Sequence, residues 1–142
     1  MTELPVVTKL PDGSRTWHFN DKLHREDGPA IELADGTREW YFNGKRHRED
    51  GPAVKRANGN RMWYFNGKPH REDDPAVELA NGDCAWYING KPHREDGPAS
   101  IKANGTHGWY IHGVMMDFQE YVNKIFPENT PKKCLFILKW SN

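Results

Sequence analysis

Tryptophan recurs at a constant interval of 23 residues, at Trp17, Trp40, Trp63, Trp86 and Trp109. Gly13, Gly36, Gly59, Gly82 and Gly105 keep the same interval, and so do His24, His47, His70 and His93. A period of this length marks a stack of similar supersecondary units, each too small to bury an apolar face alone and each covered by its neighbours. The unit reads W-Y-F-N-G-K-x-H-R-E-D-G-P-A-V-x-x-A-N-G-x-x-x. A chain of 142 residues holds five such units and a short tail, so one architecture is expected.

Each unit carries two turn signals. The first is Asp12-Gly13, Asp35-Gly36, Asn58-Gly59, Asn81-Gly82 and Asn104-Gly105; the second is Asn43-Gly44, Asn66-Gly67 and Asn89-Gly90, with Asn20-Asp21 and His112-Gly113 as irregular end versions. Asn, Asp and Gly tolerate positive φ, so both sets are expected to be two-residue type I′ hairpins. Counting outwards from Asn58-Gly59 sets Val54 opposite Trp63 and Ala53 opposite Tyr64. The same count pairs Thr8 with Trp17, Ile31 with Trp40, Val77 with Trp86 and Ser100 with Trp109. Polar partners then fall at the ends, which predicts that the middle units are buried best. Across the second turn, Trp40 faces His47, Trp63 faces His70, Trp86 faces His93 and Glu39 faces Arg48. Pro52 has no N–H, so Arg48-Glu49-Asp50-Gly51-Pro52 is read as a bend. Two or three strands per unit both fit; two keeps every Trp on one side.

Composition supports a thin, aromatic β structure: 36% of residues are apolar and 28% charged, with six Trp, five Tyr and six Phe. Twenty basic residues balance twenty acidic ones, so no net field draws the chain to DNA or an anionic membrane. No run reaches the roughly 18 apolar residues of a membrane span, and the first residues lack a secretory h-region. A cytoplasmic location is the expectation. Cys84 and Cys134 lie in unlike contexts and are read as free thiols.

Residues 1–113 are assigned to the repeats and 114–142 to a C-terminal cap. Val114 to Phe126 reads as a helix with an Asp117/Glu120 capping box and a stripe of Phe118, Tyr121, Val122 and Ile125. Cys134 to Trp140 is nearly all apolar and is read as a final strand. The fold class is therefore mainly β: an elongated antiparallel hairpin array in a single sheet, closed by a short helix and a last strand.

His-Arg-Glu-Asp recurs four times, from His24, His47, His70 and His93. An enzyme needs unlike groups converging in one cleft, whereas this motif is copied along an array. Histidines one repeat apart stand roughly 10 Å from each other if each unit adds two strands, too far for a shared zinc with ligands at about 2.3 Å. No catalytic residue, metal or cofactor is assigned. In the structural reading, His packs on Trp, Arg pairs with Glu or Asp, and Asp caps the Gly-Pro bend. In the binding reading, Trp40, Trp63, Trp86, His47, His70, His93, Arg48, Arg71 and Arg94 form a ladder that holds a partner. Asp74 stands where the other units have Gly28, Gly51 and Gly97, and is read as a residue tolerant of unusual φ.

The motif W-Y-x-N-G-K-x-H-R-E-D-G-P-A resembles the variant MORN-type repeats of uncharacterised bacteriophage and large-virus proteins, over about residues 5 to 113. Here Arg follows His where ordinary MORN repeats have Gly. The resemblance implies an elongated sheet that serves as a protein-binding platform. A viral source would imply action on a host factor in the host cytoplasm. The expected function is a non-enzymatic interaction module; the alternative is a small-ligand or nucleotide-messenger binder using Trp, His and Arg pockets between units. Self-association stays open.

Overall fold

The computed structural model describes residues 3–141. Twelve strands form one antiparallel sheet that follows chain order. Three two-stranded hairpins lie outside it: Tyr41–Phe42 with Lys45–Arg46, Tyr64–Phe65 with Lys68–Pro69, and Tyr87–Ile88 with Lys91–Pro92. A central unit therefore has four short strands, two in the long sheet and two in a side hairpin, in place of the two or three expected. The chain passes from the long sheet to the side hairpin at the tryptophan. Trp40 N–H donates to the Ala53 carbonyl (2.7 Å) in the sheet, and its own carbonyl accepts from His47 N–H (3.1 Å) in the hairpin.

The second turns are type I′ as expected, with Asn43 at φ 50° and Gly44 at φ 80°, and close equivalents at Asn66-Gly67, Asn89-Gly90 and His112-Gly113. The first turns are different. There only the glycine takes positive φ, as at Gly59 (φ 96°), and the loop spans three residues, closed by Gly59 N–H to Arg56 O (3.0 Å) and Arg56 N–H to Asn60 O (2.9 Å). The cause is the Asn or Asp side chain: Asn58 Oδ1 accepts from Asn60 N–H (3.0 Å), and Asp35 Oδ1 from Thr37 N–H (2.8 Å). Such Asx turns hold the residue away from positive φ and leave the left-handed position to glycine alone.

The longer loop slips the register by one residue. Val54 faces Met62, Ile31 faces Glu39, Val77 faces Ala85, Ser100 faces Gly108 and Thr8 faces Thr16, so none of the expected aliphatic–Trp pairs forms. A one-residue slip moves every partner to the opposite face. Burial departs from expectation too: Trp17 and Trp109 are the buried indoles, while Trp40, Trp63 and Trp86 are half-buried. Trp17 gains the neighbouring strand Val6–Lys9, whose Val7 pairs with it, and Trp109 gains the C-terminal cap.

Side chains stitch successive units along both edges. At the sheet edge, Ser14, Thr37, Asn60 and Asp83 each accept from a backbone N–H one unit on, at Ala34, Ala57, Ala80 and Ala103 (2.7–3.1 Å). Ala30, Ala53, Ala76 and Ala99, whose carbonyls accept from the N–H groups of Trp17, Trp40, Trp63 and Trp86, are each fully buried.

Val114–Met116, expected as the start of a helix, is instead the last strand of the long sheet, paired with Trp109–Ile111. The helix α1 (Phe118–Ile125) follows with the expected capping box at Asp117 and Glu120. The expected final strand is instead a helix, α2 (Pro131–Trp140). Thr130 caps it and Pro131 occupies its first turn, a start signal that outweighs the apolar run that follows. Phe136 is buried while Leu135 and Leu138 stay exposed, as helical periodicity requires.

Both helices pack on Trp109, whose ring meets Phe118 (4.9 Å), Tyr121 (4.8 Å), Phe136 (6.1 Å) and Trp140 (5.9 Å). In each earlier unit an arginine eight residues after the Trp covers the indole; here that position is Asp117 and aromatic rings take over. The fully buried Tyr121 donates its hydroxyl to the Arg94 carbonyl and accepts from Gly97 N–H (3.3 Å), which ties α1 to the fourth unit. Burial pushes its phenol up to about 12. No helix among the described residues is long and apolar enough to cross a membrane.

Candidate functional site

Each candidate arginine sits over the ring of its tryptophan. The guanidinium carbons of Arg48, Arg71 and Arg94 are 3.9 Å from the ring centres of Trp40, Trp63 and Trp86, and Arg25 on Trp17 repeats the distance. A planar cation over an indole face is the most favourable cation–π geometry. Arg48 Nε also donates to Asp50 Oδ1 (2.9 Å) and Nη1 to the Pro52 carbonyl (3.1 Å). The arginine, not the aspartate, therefore holds the Gly-Pro bend. That hydrogen bond and charge keep the Asp50 carboxyl below its ordinary range, as Arg25 does for Asp27.

The glycine of this bend has a spatial role. A Cβ on Gly51 would stand 3.0 Å from Arg48 Cζ, and on Gly97 only 2.8 Å from Arg94 Cζ. Asp74, in the unit lacking this glycine, is outside the positive-φ region and turns its carboxylate to Arg71 Nη2 (3.1 Å). It replaces the bond that Asp50 and Asp96 make in their units.

The candidate histidines, and His24 with them, each join one unit to the next. Nδ1 of His24, His47, His70 and His93 accepts from the backbone N–H of Asn43, Asn66, Asn89 and His112 in the next unit (2.9–3.0 Å). Nε2 faces a glutamate of its own loop at 3.7–4.0 Å: Glu26, Glu49, Glu72 or Glu95. The rings form a spine with the phenylalanines: Phe19–His24 at 5.7 Å, His24–Phe42 at 4.5 Å, Phe42–His47 at 6.2 Å, His47–Phe65 at 4.5 Å and Phe65–His70 at 6.2 Å. His93 continues it by stacking on His112 at 4.2 Å.

The spine floors an open groove. One section, about 1040 Å³, lies between the first and second bends and is lined by Trp40, Phe42, His47 and Phe65 with Glu26 and Glu49. A second section, about 520 Å³, repeats the arrangement around Trp86, Ile88 and His93. Because Arg and Asp neutralise each other, one largely exposed glutamate per unit remains beside the groove, joined in the third unit by Asp73, since Arg71 there takes Asp74. Lys45 is the cross-strand partner of Phe42 and Lys68 that of Phe65, and cross-strand partners share a face. Phe42, Phe65 and the glutamates were not among the candidates. The shared face of Trp40 and Phe42 is the signal in the sequence that points to them.

Among the described residues, no three His, Cys, Asp or Glu side chains gather as they would around a metal ion. No family model matches the chain, and no curated protein matches it either.

Proposed function

We propose that this protein is a non-enzymatic interaction module that seats an extended segment of a protein partner along the Phe–His groove. The observation that carries the reading is the groove itself: a floor of Phe42, His47 and Phe65 that Ile88 and His93 continue, with a glutamate of each bend beside it. An extended chain advances by a similar repeat, since three residues at about 3.3 Å match two strand widths of about 4.8 Å. Apolar side chains of the partner would rest on Phe42 and Phe65, whose rings are exposed, and its cations would face Glu49 and Glu72. The arginine ladder is a support for the indoles, with Nε and Nη1 of Arg48 committed within its own bend. A row of carboxylates beside it is a poor setting for phosphate.

The test is selection of binders from a random peptide library on the immobilised protein. Enriched peptides should pair apolar with Lys or Arg positions. Their affinity, measured by fluorescence polarisation, should fall at least tenfold for Phe42→Ala/Phe65→Ala and severalfold for Glu49→Gln/Glu72→Gln. Peptides that bind these variants as tightly as the unaltered protein would overturn the reading. So would a nucleotide that stabilises the protein by about 2.7 kcal/mol at one hundred times its Kd.

A further inference from the structure

Four histidines perform the same unusual task, and it depends on their charge. A neutral imidazole has one nitrogen that accepts and one that donates. Nδ1 of His24, His47, His70 and His93 accepts a backbone N–H from the following unit, so the proton must sit on Nε2. This bond fills a gap between successive second turns. Around it, Gly44 N–H reaches the Leu23 carbonyl (2.8 Å) and Arg25 N–H the Tyr41 carbonyl (3.2 Å), while Asn43 N–H between them is taken by His24 Nδ1 (3.0 Å). Gly67, Gly90 and Gly113 repeat the pattern with Arg46, Pro69 and Pro92.

We infer that His24, His47, His70 and His93 form an acid-sensitive clasp: protonation turns each Nδ1 from acceptor to donor and loosens the junction between successive second turns, which two backbone hydrogen bonds still join, while the pairing of the long sheet stays intact. This goes beyond the binding reading and stands whether or not the groove holds a peptide. A proton on Nδ1 would point at the N–H it now accepts, so the bond is replaced by repulsion.

The surrounding charges do not cancel this effect. Glu26, Glu49, Glu72 and Glu95 face Nε2 and favour the imidazolium, but their side chains are 71–80% exposed, and exposed ion pairs contribute little. Glu3 and Asp27 also stand near His24; Arg25, Glu26, Asp27, Arg48 and Asp50 share the groove section of His47; and Glu72, Asp73, Arg94 and Asp96 share that of His93. The Asp partners of Arg25, Arg48 and Arg94 are engaged with those guanidiniums. His70 is faced by Glu72 and packed on Phe65. At His93, burial first and the stacked His112 second hold the imidazole below its ordinary range, against Glu95. A histidine with a lowered folded-state pKa stabilises the fold fully above the unfolded value of about 6.5. That contribution is lost as pH falls through the folded value.

The experiment is NMR on the intact protein between pH 7.5 and 5. Imidazole ¹⁵N shifts at pH 7.5 should show the proton on Nε2 in all four rings. As the rings titrate, hydrogen-exchange protection at the amides of Asn43, Asn66, Asn89 and His112 should fall at least tenfold, while the Trp40 and Trp63 amides, bonded within the sheet, change less than twofold. In His47→Gln, which keeps an acceptor that does not titrate, Asn66 should lose its pH dependence and Asn89 keep it. A proton found on Nδ1 at pH 7.5 would overturn the inference. Rings that stay neutral to pH 5, or amides that keep their protection after the rings have titrated, would do the same.

Discussion

The Arg48 guanidinium carbon lies 3.9 Å above the centre of the Trp40 ring, and three further Arg–Trp pairs repeat that distance. One planar cation covers each of these four indoles, of which Trp40, Trp63 and Trp86 are otherwise half open. The same guanidinium fixes the bend beside the groove, so packing of the array and placement of its binding face share a single side chain.

Arg48→Lys keeps the charge but loses the planar stack and the forked hydrogen bonds. It should destabilise the protein by about 1 kcal/mol, close to the loss for Arg48→Ala. Urea denaturation of the two variants beside wild type checks this; full stability in the lysine variant would mean that charge alone covers the indole.

Gly51 and Gly59 should resist substitution for different reasons. Alanine at 51 meets Arg48 Cζ at 3.0 Å, whereas alanine at 59 meets only Ala80 Cβ at 3.6 Å but must adopt φ 96°. Each change should cost about 1–2 kcal/mol. In an Arg48→Ala background the cost at Gly51 should vanish and the cost at Gly59 persist, a difference that a double-mutant cycle of denaturation midpoints reads directly.

Tyr121→Phe removes the hydroxyl that bonds the Arg94 carbonyl and Gly97 N–H. The expected loss is about 1–3 kcal/mol, because the buried Gly97 N–H and the partly buried Arg94 carbonyl lose their partner. The phenol is raised to about 12 in the folded protein against about 10 unfolded. Its contribution is therefore complete below pH 10 and declines as pH rises towards 12. Alkaline denaturation curves of wild type should fall more steeply than those of Tyr121→Phe over that window.

Glu39 is a buried carboxylate, 7% exposed, held by Arg46 at 3.1 Å and by the Tyr41 hydroxyl at 3.1 Å. The corresponding residues one unit on are Met62 and Pro69. Arg46→Ala should cost about 2 kcal/mol by stranding the carboxylate, below the full value for a buried pair because Arg46 is partly exposed. The double change Glu39→Met/Arg46→Pro should restore stability to near wild type, as the third unit already uses that pair. Thermal unfolding of both variants tests the pairing.

Much of this molecule is decided within a few residues of chain. The 23-residue period imposed an array, Asn-Gly at Asn43 and Asn66 imposed type I′ turns because two consecutive residues there accept positive φ, and Asp117 with Glu120 started a helix by satisfying its first N–H groups. Counting across such a turn also placed His47 opposite Trp40. These outcomes follow from local backbone chemistry, so the residues alone suffice.

The remaining features arise where separate segments meet. Asn58 is the same residue type as Asn43, yet its side chain caps its own turn and lengthens the loop, and that one residue moved every aliphatic partner away from its tryptophan. Gly51 has no unusual dihedral to betray it; only the folded protein brings the Arg48 guanidinium to the place where a Cβ would stand. The apolar run before Trp140 fits a strand or a helix equally well until Thr130 caps it and Trp109 offers a surface for one helical face. Local chemistry chose the unit and its turns, while register, the role of the arginines and the nature of the cap were settled by contacts between residues that the chain keeps far apart.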